Sequence, residues 1–326
     1  MRIGIDCRKI ADFGIGTYVR GLVRGLAEID APEKYLLFVR RPIPELPFEQ
    51  IVVDVPPYSL RELPLLGRAI ARARLDLFHS PDLMLPWTSC PCVVTLHDVI
   101  RSRFPPRNPA ARVYVAMMTP RALHKSVRVL TVTEAAKRAI VETFDCDAAK
   151  VVVTPNGVDE LFFADVPRAE GRYVLFVGND KPHKNVERLV DAARHASMRI
   201  VLAGGEFERF RDEPHVIAPG FVTIDELAAL YRGATALVLP SLEEGFGLPA
   251  VEAMAAGTPV IASDIPALRE VTGGHATFID PQSVDSIANA LRNVTREHVD
   301  AARERAREFT WTRCAQLTRE AYLCAH

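Results

Sequence analysis

Glu244 and Glu252 bracket the stretch Gly245-Phe246-Gly247-Leu248-Pro249-Ala250-Val251. Two glycines free the backbone there, and Pro249 suits the first turn of a helix, so the turn aims N–H groups at an anion. One carboxylate in such a turn can reach a reacting group, while the other can accept from two ribose hydroxyls. Upstream lies Val177-Gly178-Asn179-Asp180-Lys181-Pro182-His183-Lys184-Asn185. A glycine and two lysines at a helix start fit a diphosphate, or else make an exposed charged turn. The pattern G-x-x-x-x-G-K-[ST] is absent, which argues against an NTPase. Leu96-His97-Asp98 closes an apolar run, and an imidazole there can hydrogen-bond a sugar hydroxyl or a phosphate, held by Asp98 or by a backbone carbonyl. Gly14-Ile15-Gly16-Thr17-Tyr18 opens a helix, but Val19 stands where a dinucleotide fingerprint needs its third glycine. That G-x-G reads as an anion-facing turn or simply a tight one. Asp145-Cys146-Asp147 follows a helix and precedes a strand, so this D-x-D reads as a solvated helix end, and no metal site is expected.

Strand–helix alternation must position these residues. Apolar runs at Arg2–Asp6, Tyr35–Val39, Ile51–Val53, Leu77–Phe78, Val93–Leu96, Val129–Val132 and Val151–Val153 form a first series. A second comprises Tyr173–Val177, Arg199–Ala203, Val216–Ala218, Ala236–Leu239, Pro259–Ala262 and Ala276–Ile279. Helical patterns fall between, among them Thr17–Ile29, Glu134–Thr143, Asn185–His195, Ile224–Arg232, Pro249–Ala256 and Val284–Asn293. Near-continuous apolar strands separated by helices predict parallel sheets covered on both faces. The expected architecture is α/β, with two doubly wound Rossmann-like domains facing across a cleft. The first spans 1–158 and the second 173–311, with a linker at 159–172 that holds Pro167 and Gly171. A last helix over about 312–326 is free to pack back on the first domain. Ligands in such sheets bind at the carboxyl ends of the strands.

Composition bounds the function classes. The 326 residues carry 40 Lys+Arg against 41 Asp+Glu, with 48% apolar and 25% charged residues, as in a folded globular protein. No run of about 18 apolar residues spans a membrane, and the strand-like N-terminus lacks a signal-peptide core, which argues against export. Six scattered cysteines read as structural thiols in a reducing cytoplasm. Segment 61–128 holds 11 basic and 4 acidic residues, net +7. Such a segment fits an anionic membrane, a phosphorylated acceptor or an ordinary solvated face. Aromatics are not interleaved with the arginines, so nucleic acid is not expected. Arg68, Arg72 and Arg74 lie beside Leu65, Leu66 and Ile70 at helical spacing, and Arg101, Arg103 and Arg107 follow.

Together these residues resemble the GT-B glycosyltransferases of family 4, retaining enzymes that use nucleotide sugars. Glu244 to Glu252 matches the family's E-x7-E motif, and Thr258-Pro259-Val260-Ile261-Ala262-Ser263 continues it. Pro155-Asn156-Gly157-Val158-Asp159 resembles the entry to the interdomain linker, Gly14–Tyr18 the N-terminal glycine loop, and His97-Asp98 the acceptor-domain histidine. The resemblance implies that Glu244 faces the transferred sugar and His97 touches it, the two meeting across the cleft as it closes. Glu252 would hold the ribose, and Phe221 and Val222 would edge the base. Gly16, Lys181, Lys184, Gly245, Phe246, Gly247 and Leu248 would line the diphosphate. Where many members carry an arginine after the strand ending at Gly178, Lys181 or His183 stands in.

The implied reaction is metal-free front-face transfer of a hexose to a glycan or lipid-linked acceptor of cell-envelope polysaccharide. No cofactor is expected beyond the donor substrate, GDP-mannose ahead of UDP-sugars. Alternatives are a UDP-sugar-dependent glucosyl or N-acetylhexosaminyl transferase, and a nucleotide-sugar epimerase or hydrolase. The expected location is the cytoplasm, peripheral at the inner face of the membrane.

Overall fold

The computed structural model describes residues 1–59 and 61–325, which form two compact units. Unit 1 comprises Met1–Gly157 with the C-terminal segment from Thr310, and unit 2 is Val158–Phe309. Residues 158–172 therefore group with unit 2. Within them, Glu160–Phe163 is a short 3-10 turn, and Ala169 N–H donates to Ala229 O (3.0 Å).

Unit 1 contains strands β1 (Arg2–Asp6), β2 (Lys34–Val39), β3 (Glu49–Val52), β4 (Leu77–Ser80), β5 (Cys92–Thr95), β6 (Arg128–Thr131) and β7 (Val151–Val153). Its helices are α1 (Ile15–Glu28), α2 (Glu62–Ala73), α3 (Ile100–Arg103), α4 (Pro109–Lys125) and α5 (Glu134–Phe144). Among the described residues the sheet runs β3-β2-β1-β4-β5-β6-β7, all parallel. Strands such as β4 and β5 are buried along their whole length because helices cover both faces. Helix α4 was not anticipated from the sequence. Pro120 lies inside it, where a proline removes a backbone donor, and its apolar residues do not gather on one face. It forms because Asn108 caps it, accepting from Ala110 N–H (2.9 Å), with Pro109 in its first turn.

The C-terminal helix, Trp311–Leu323, packs on α1. The close approach depends on Gly21 and Gly25, one turn apart on α1. A Cβ on Gly21 would lie 2.1 Å from the Trp311 ring, and one on Gly25 would lie 2.3 Å from its carbonyl oxygen. At the far end Arg319 grips Glu33 through two N–H groups (2.9 and 3.0 Å).

Unit 2 contains β8 (Val174–Val177), β9 (Ile200–Ala203), β10 (Val216–Gly220), β11 (Leu237–Leu239), β12 (Val260–Ser263) and β13 (Thr277–Ile279). Its helices are α6 (Val186–His195), α7 (Ile224–Gly233), α8 (Leu248–Ala255), α9 (Pro266–Thr272), α10 (Val284–Arg292) and α11 (Val299–Ala306). The parallel order β10-β9-β8-β11-β12-β13 places the topological switch between β8 and β11. The loops after these two strands carry the candidate lysines and Glu244, and the helix that follows carries Glu252, at the kind of crevice where open α/β sheets bind ligands.

Candidate active site

At the carboxyl edge of the second sheet, the loops after β8 and β11 are tied together. Leu242 N–H donates to His183 O (2.7 Å). Asn185 sits in the left-handed region at φ +57°, which asparagine tolerates better than most residues. From there its Nδ2 donates to the carbonyls of Pro240 (3.0 Å) and Pro281 (2.7 Å). This staple fixes Lys184 beside Glu244. Glu244 Oε1 accepts from Lys184 Nζ (2.7 Å) and from Ser241 Oγ (2.6 Å), with the two ion-pair side chains 15% and 8% exposed. Lys184, expected on a diphosphate, is thus paired with the glutamate expected on the sugar. The two placements are compatible, because an ammonium has three donors and this pair uses one.

Helix α8 begins at Gly247, whose φ of +89° favours glycine and where a Cβ would lie 2.6 Å from Leu268 Cδ2. No side chain caps α8; Pro249 has no N–H and Ala250 N–H donates to Gly247 O (2.8 Å), which leaves the N–H of Leu248 to an anion at this edge. Phe246 buries its ring edge-on against Phe309 (5.4 Å), so the turn offers the backbone of Phe246 rather than its side chain. Gly245 is buried, and Leu248, half-buried, is the first residue of α8.

Glu252 lies on the second turn of α8, where its Oε2 accepts from Tyr231 OH (2.7 Å). Tyr231 is fully buried, with Phe162 edge-on to its ring (5.6 Å). Burial pushes the Glu252 carboxyl up to about 7; the Tyr231 hydrogen bond opposes the rise and nearby Asp159 adds to it. Burial and neighbouring Lys184 bring the His183 imidazole down to about 4. His183 is therefore neutral at pH 7, and of the two stand-ins for the family's arginine only Lys181, exposed at the loop, carries charge. Arg209 grips Asp180 through two N–H groups (2.6 and 2.7 Å) and so adds a guanidinium to this edge. Phe221, 69% exposed, and half-buried Val222 follow β10 at the same edge of the sheet.

His97 and Gly16 belong to unit 1. His97 follows β5, its ring edge-on to Tyr18 (4.8 Å) and its Nε2 3.2 Å from the carbonyl oxygen of Pro81. The carbonyl holds it, and Asp98, which accepts from Ile100 N–H (2.8 Å), lies close enough to act on its charge. Burial lowers the His97 pKa, so the ring is neutral. Nε2 donating to the carbonyl then leaves Nδ1 as an acceptor. Beneath it runs a buried chain from Tyr322 OH to His79 Nδ1 (2.6 Å), His79 Nε2 to Thr95 Oγ1 (2.7 Å) and Thr95 Oγ1 to Tyr18 OH (3.0 Å). Gly16 has a packing reason to be glycine: a Cβ there would lie 2.5 Å from Ile10 O. Asp145 ends α5 in the left-handed region, and Asp147 accepts from Ala149 N–H (2.9 Å) to cap the next turn.

Sequence reasoning missed Tyr231, Ser241 and the Asn185 staple. Ser241, three residues before Glu244, had a local signal, since S-x-x-E is the spacing of a capping box, which brings the hydroxyl and the acid onto one turn. Tyr231 had none, because it meets Glu252 from a different helix.

Residues 158–310 match the family model described as glycosyl transferases group 1, and residues 14–160 match that of glycosyltransferase family 4. O-antigen chain mannosyltransferase B of Escherichia coli is 28% identical over 283 residues, covering 76% of this chain and 74% of that protein. The O-antigen chain mannosyltransferase RfbU of Salmonella typhimurium is 32% identical over 213 residues, covering 62% and 60%. In fold, the chain is similar to Anabaena HepE in complex with UDP-glucose, with a TM-score of 0.77 at 17% identity over 99% of this chain and 100% of that one.

Proposed function

The chain belongs to the GT-B glycosyltransferases of family 4, and from that premise we propose that it moves a hexose from a nucleotide-diphosphate sugar to a glycan or lipid-linked acceptor, with retention and without a metal. One observation carries the reading: the Lys184–Glu244 pair stands beside the uncapped start of α8, and the same helix carries Glu252. Lys184 and the N–H of Leu248 at the start of α8 meet the charge that builds on the departing diphosphate, which lowers the barrier most where they are already oriented. Glu252 takes the ribose hydroxyls, Phe221 and Val222 edge the base, and His97 accepts from a sugar hydroxyl through Nδ1. Mannose is the favoured hexose and GDP-mannose the favoured donor, supported by the names of the two O-antigen mannosyltransferase relatives. A UDP-sugar donor is the second reading, favoured by the UDP-glucose complex of the Anabaena protein. The setting is cell-envelope polysaccharide synthesis at the cytoplasmic face of the membrane.

The deciding experiment incubates the protein with GDP-mannose or UDP-glucose and candidate acceptors in EDTA, then reads the product's anomeric proton by NMR. An α-linked product from an α-linked donor is expected. A β-linked product overturns retention, and activity that vanishes with EDTA and returns with Mn²⁺ overturns the metal-free mechanism. Epimerised sugar or acceptor-independent hydrolysis overturns transfer.

The Glu252 assignment carries its own pH signature. A carboxyl raised to about 7 is largely protonated at pH 6 and accepts fully from ribose only above pH 7. Nucleoside diphosphate affinity is therefore expected to rise between pH 6 and 8 in the wild type more than in Glu252→Gln. At pH 8 the variant should bind more weakly by about 1–3 kcal/mol, the range for a charged hydrogen bond. Superimposable pH profiles by calorimetry would remove Glu252 from the ribose.

For the membrane, the surface of unit 1 supports contact by more than charge. Arg68 and Arg72 are exposed on α2. Trp87, 62% exposed, is pinned to α2 by its N–H to Leu63 O (3.2 Å), and Arg121 of α4 donates to the adjoining Leu85 O (2.6 Å). Val113 and Met117 stand exposed one turn apart on α4. Arg101 is withdrawn from the expected basic face, half-buried with its guanidinium 5.0 Å from the Tyr58 ring centroid. Basic residues near an anionic surface contribute about 1 kcal/mol each and weaken with salt. Flotation with anionic liposomes is expected at low salt, reduced at high salt and reduced again in Trp87→Ala. No flotation at low salt would leave an ordinary solvated face.

Among the described residues no helix is long and apolar enough to cross a membrane.

A further inference from the structure

A polar cavity lies at the edge of unit 2 opposite Lys184 and Glu244. Helix α8 runs from the carboxyl edge of the sheet to the amino edge, where β12 begins, and its end at Ala256 and Gly257 lines a cavity of about 250 Å³. Arg168, Arg232, Arg296 and Arg303 converge on it, against Asp165 and Asp300, a net of two positive charges. Three of the arginines are partly committed to carbonyls. Arg232 donates to Ala164 O (2.8 Å), Arg296 to Gly257 O (2.9 Å) and Arg303 to Phe163 O (2.7 Å), and Arg232 also pairs with Asp165.

That leaves donors unspent, since each guanidinium has five N–H groups. Arg303 Nε is buried without a partner, a cost that structures rarely accept. Helix α11 begins at Val299 and Asp300, both in the cavity lining; Val299 N–H donates to Arg296 O (3.2 Å), and Asp300 in the first turn offsets the positive potential of the helix start, so the arginines supply the charge. Arginines that served only to cap the end of α8 would not need Arg168, which comes from the segment before β8, nor an unpaired Nε.

We infer that this cavity is a binding site for a phosphate dianion, borne by inorganic phosphate or by a small soluble phosphomonoester. Planar guanidinium groups match phosphate oxygens two at a time, and the net charge of the lining matches a dianion. The volume admits a phosphomonoester of a few carbons. The site stands at the other edge of the sheet from Lys184 and Glu244, and the inference does not depend on the donor reading.

Calorimetry and thermal shift with inorganic phosphate and with glycerol phosphate, against chloride at equal ionic strength, test it. Arg168 and Arg296 are exposed, so the double variant Arg168→Ser/Arg296→Ser should keep the native circular dichroism. Measured with saturating nucleoside diphosphate present to fill the site at Lys184, it is expected to bind phosphate at least tenfold more weakly than wild type. Arg303→Lys, which keeps the charge and removes Nε, is expected to lose several-fold in affinity. Tighter binding of glycerol phosphate assigns the site to a phosphomonoester, and equal or weaker binding assigns it to the free ion. Wild-type binding no tighter than chloride, or binding that the double variant keeps in full, overturns the inference.

Discussion

Lys184→Ala is expected to cut turnover by about 10²–10³-fold, the range for removing one preorganised group aimed at developing negative charge. The lysine is held for that work before any donor arrives, by Glu244 on one side and by the Asn185 staple beneath. Its removal also strips Glu244 of its cation and leaves that nearly buried carboxylate with Ser241, a loss of about 1–3 kcal/mol in stability. Two measurements separate these effects. Thermal melting reads the stability, and single-turnover transfer with saturating donor reads the chemistry. Turnover within threefold of wild type in a folded variant would remove Lys184 from the leaving group.

His97→Ala is expected to lower turnover by about 10²-fold, or about 2.7 kcal/mol, with nucleoside diphosphate affinity unchanged. The ring is neutral and oriented by the Pro81 carbonyl, so what it offers is a hydrogen-bond acceptor and not a charge. A group of that kind acts on a sugar hydroxyl rather than on phosphate oxygens, which have no proton to give. Calorimetry with the nucleoside diphosphate and initial rates of transfer decide the matter together. Equal losses in the two would move His97 from the sugar to the phosphates.

Much of the fold was legible because buried parallel strands write themselves as short apolar runs. Every predicted run from Arg2–Asp6 to Ala276–Ile279 falls on a strand, with ends shifted by a residue or two. Helix α4 was not legible. Its evidence is a cap and a packing surface, and Pro120 argued against it more loudly than Asn108 argued for it. The candidate site divides along the same line. Glu244, Gly247 and Glu252 belong to one turn and the helix it starts, whose backbone needs are encoded within a few residues.

Whatever depends on distant segments meeting was settled only by the tertiary structure. The sheet order brings the loop after β8 against the loop after β11, and that pairing puts Lys184 on Glu244 across 60 positions of sequence. Helix α7 delivers Tyr231 to Glu252 and so decides which oxygen of that carboxylate is occupied. Burial decided charge: His183 and Lys184 are neighbours in sequence, yet one is buried and neutral while the other keeps a carboxylate partner. Residue types and local spacing determine which groups are available and how the backbone turns beneath them. Desolvation and long-range contact determine which are ionised and what they hold, because both depend on neighbours that the chain supplies only after it has folded.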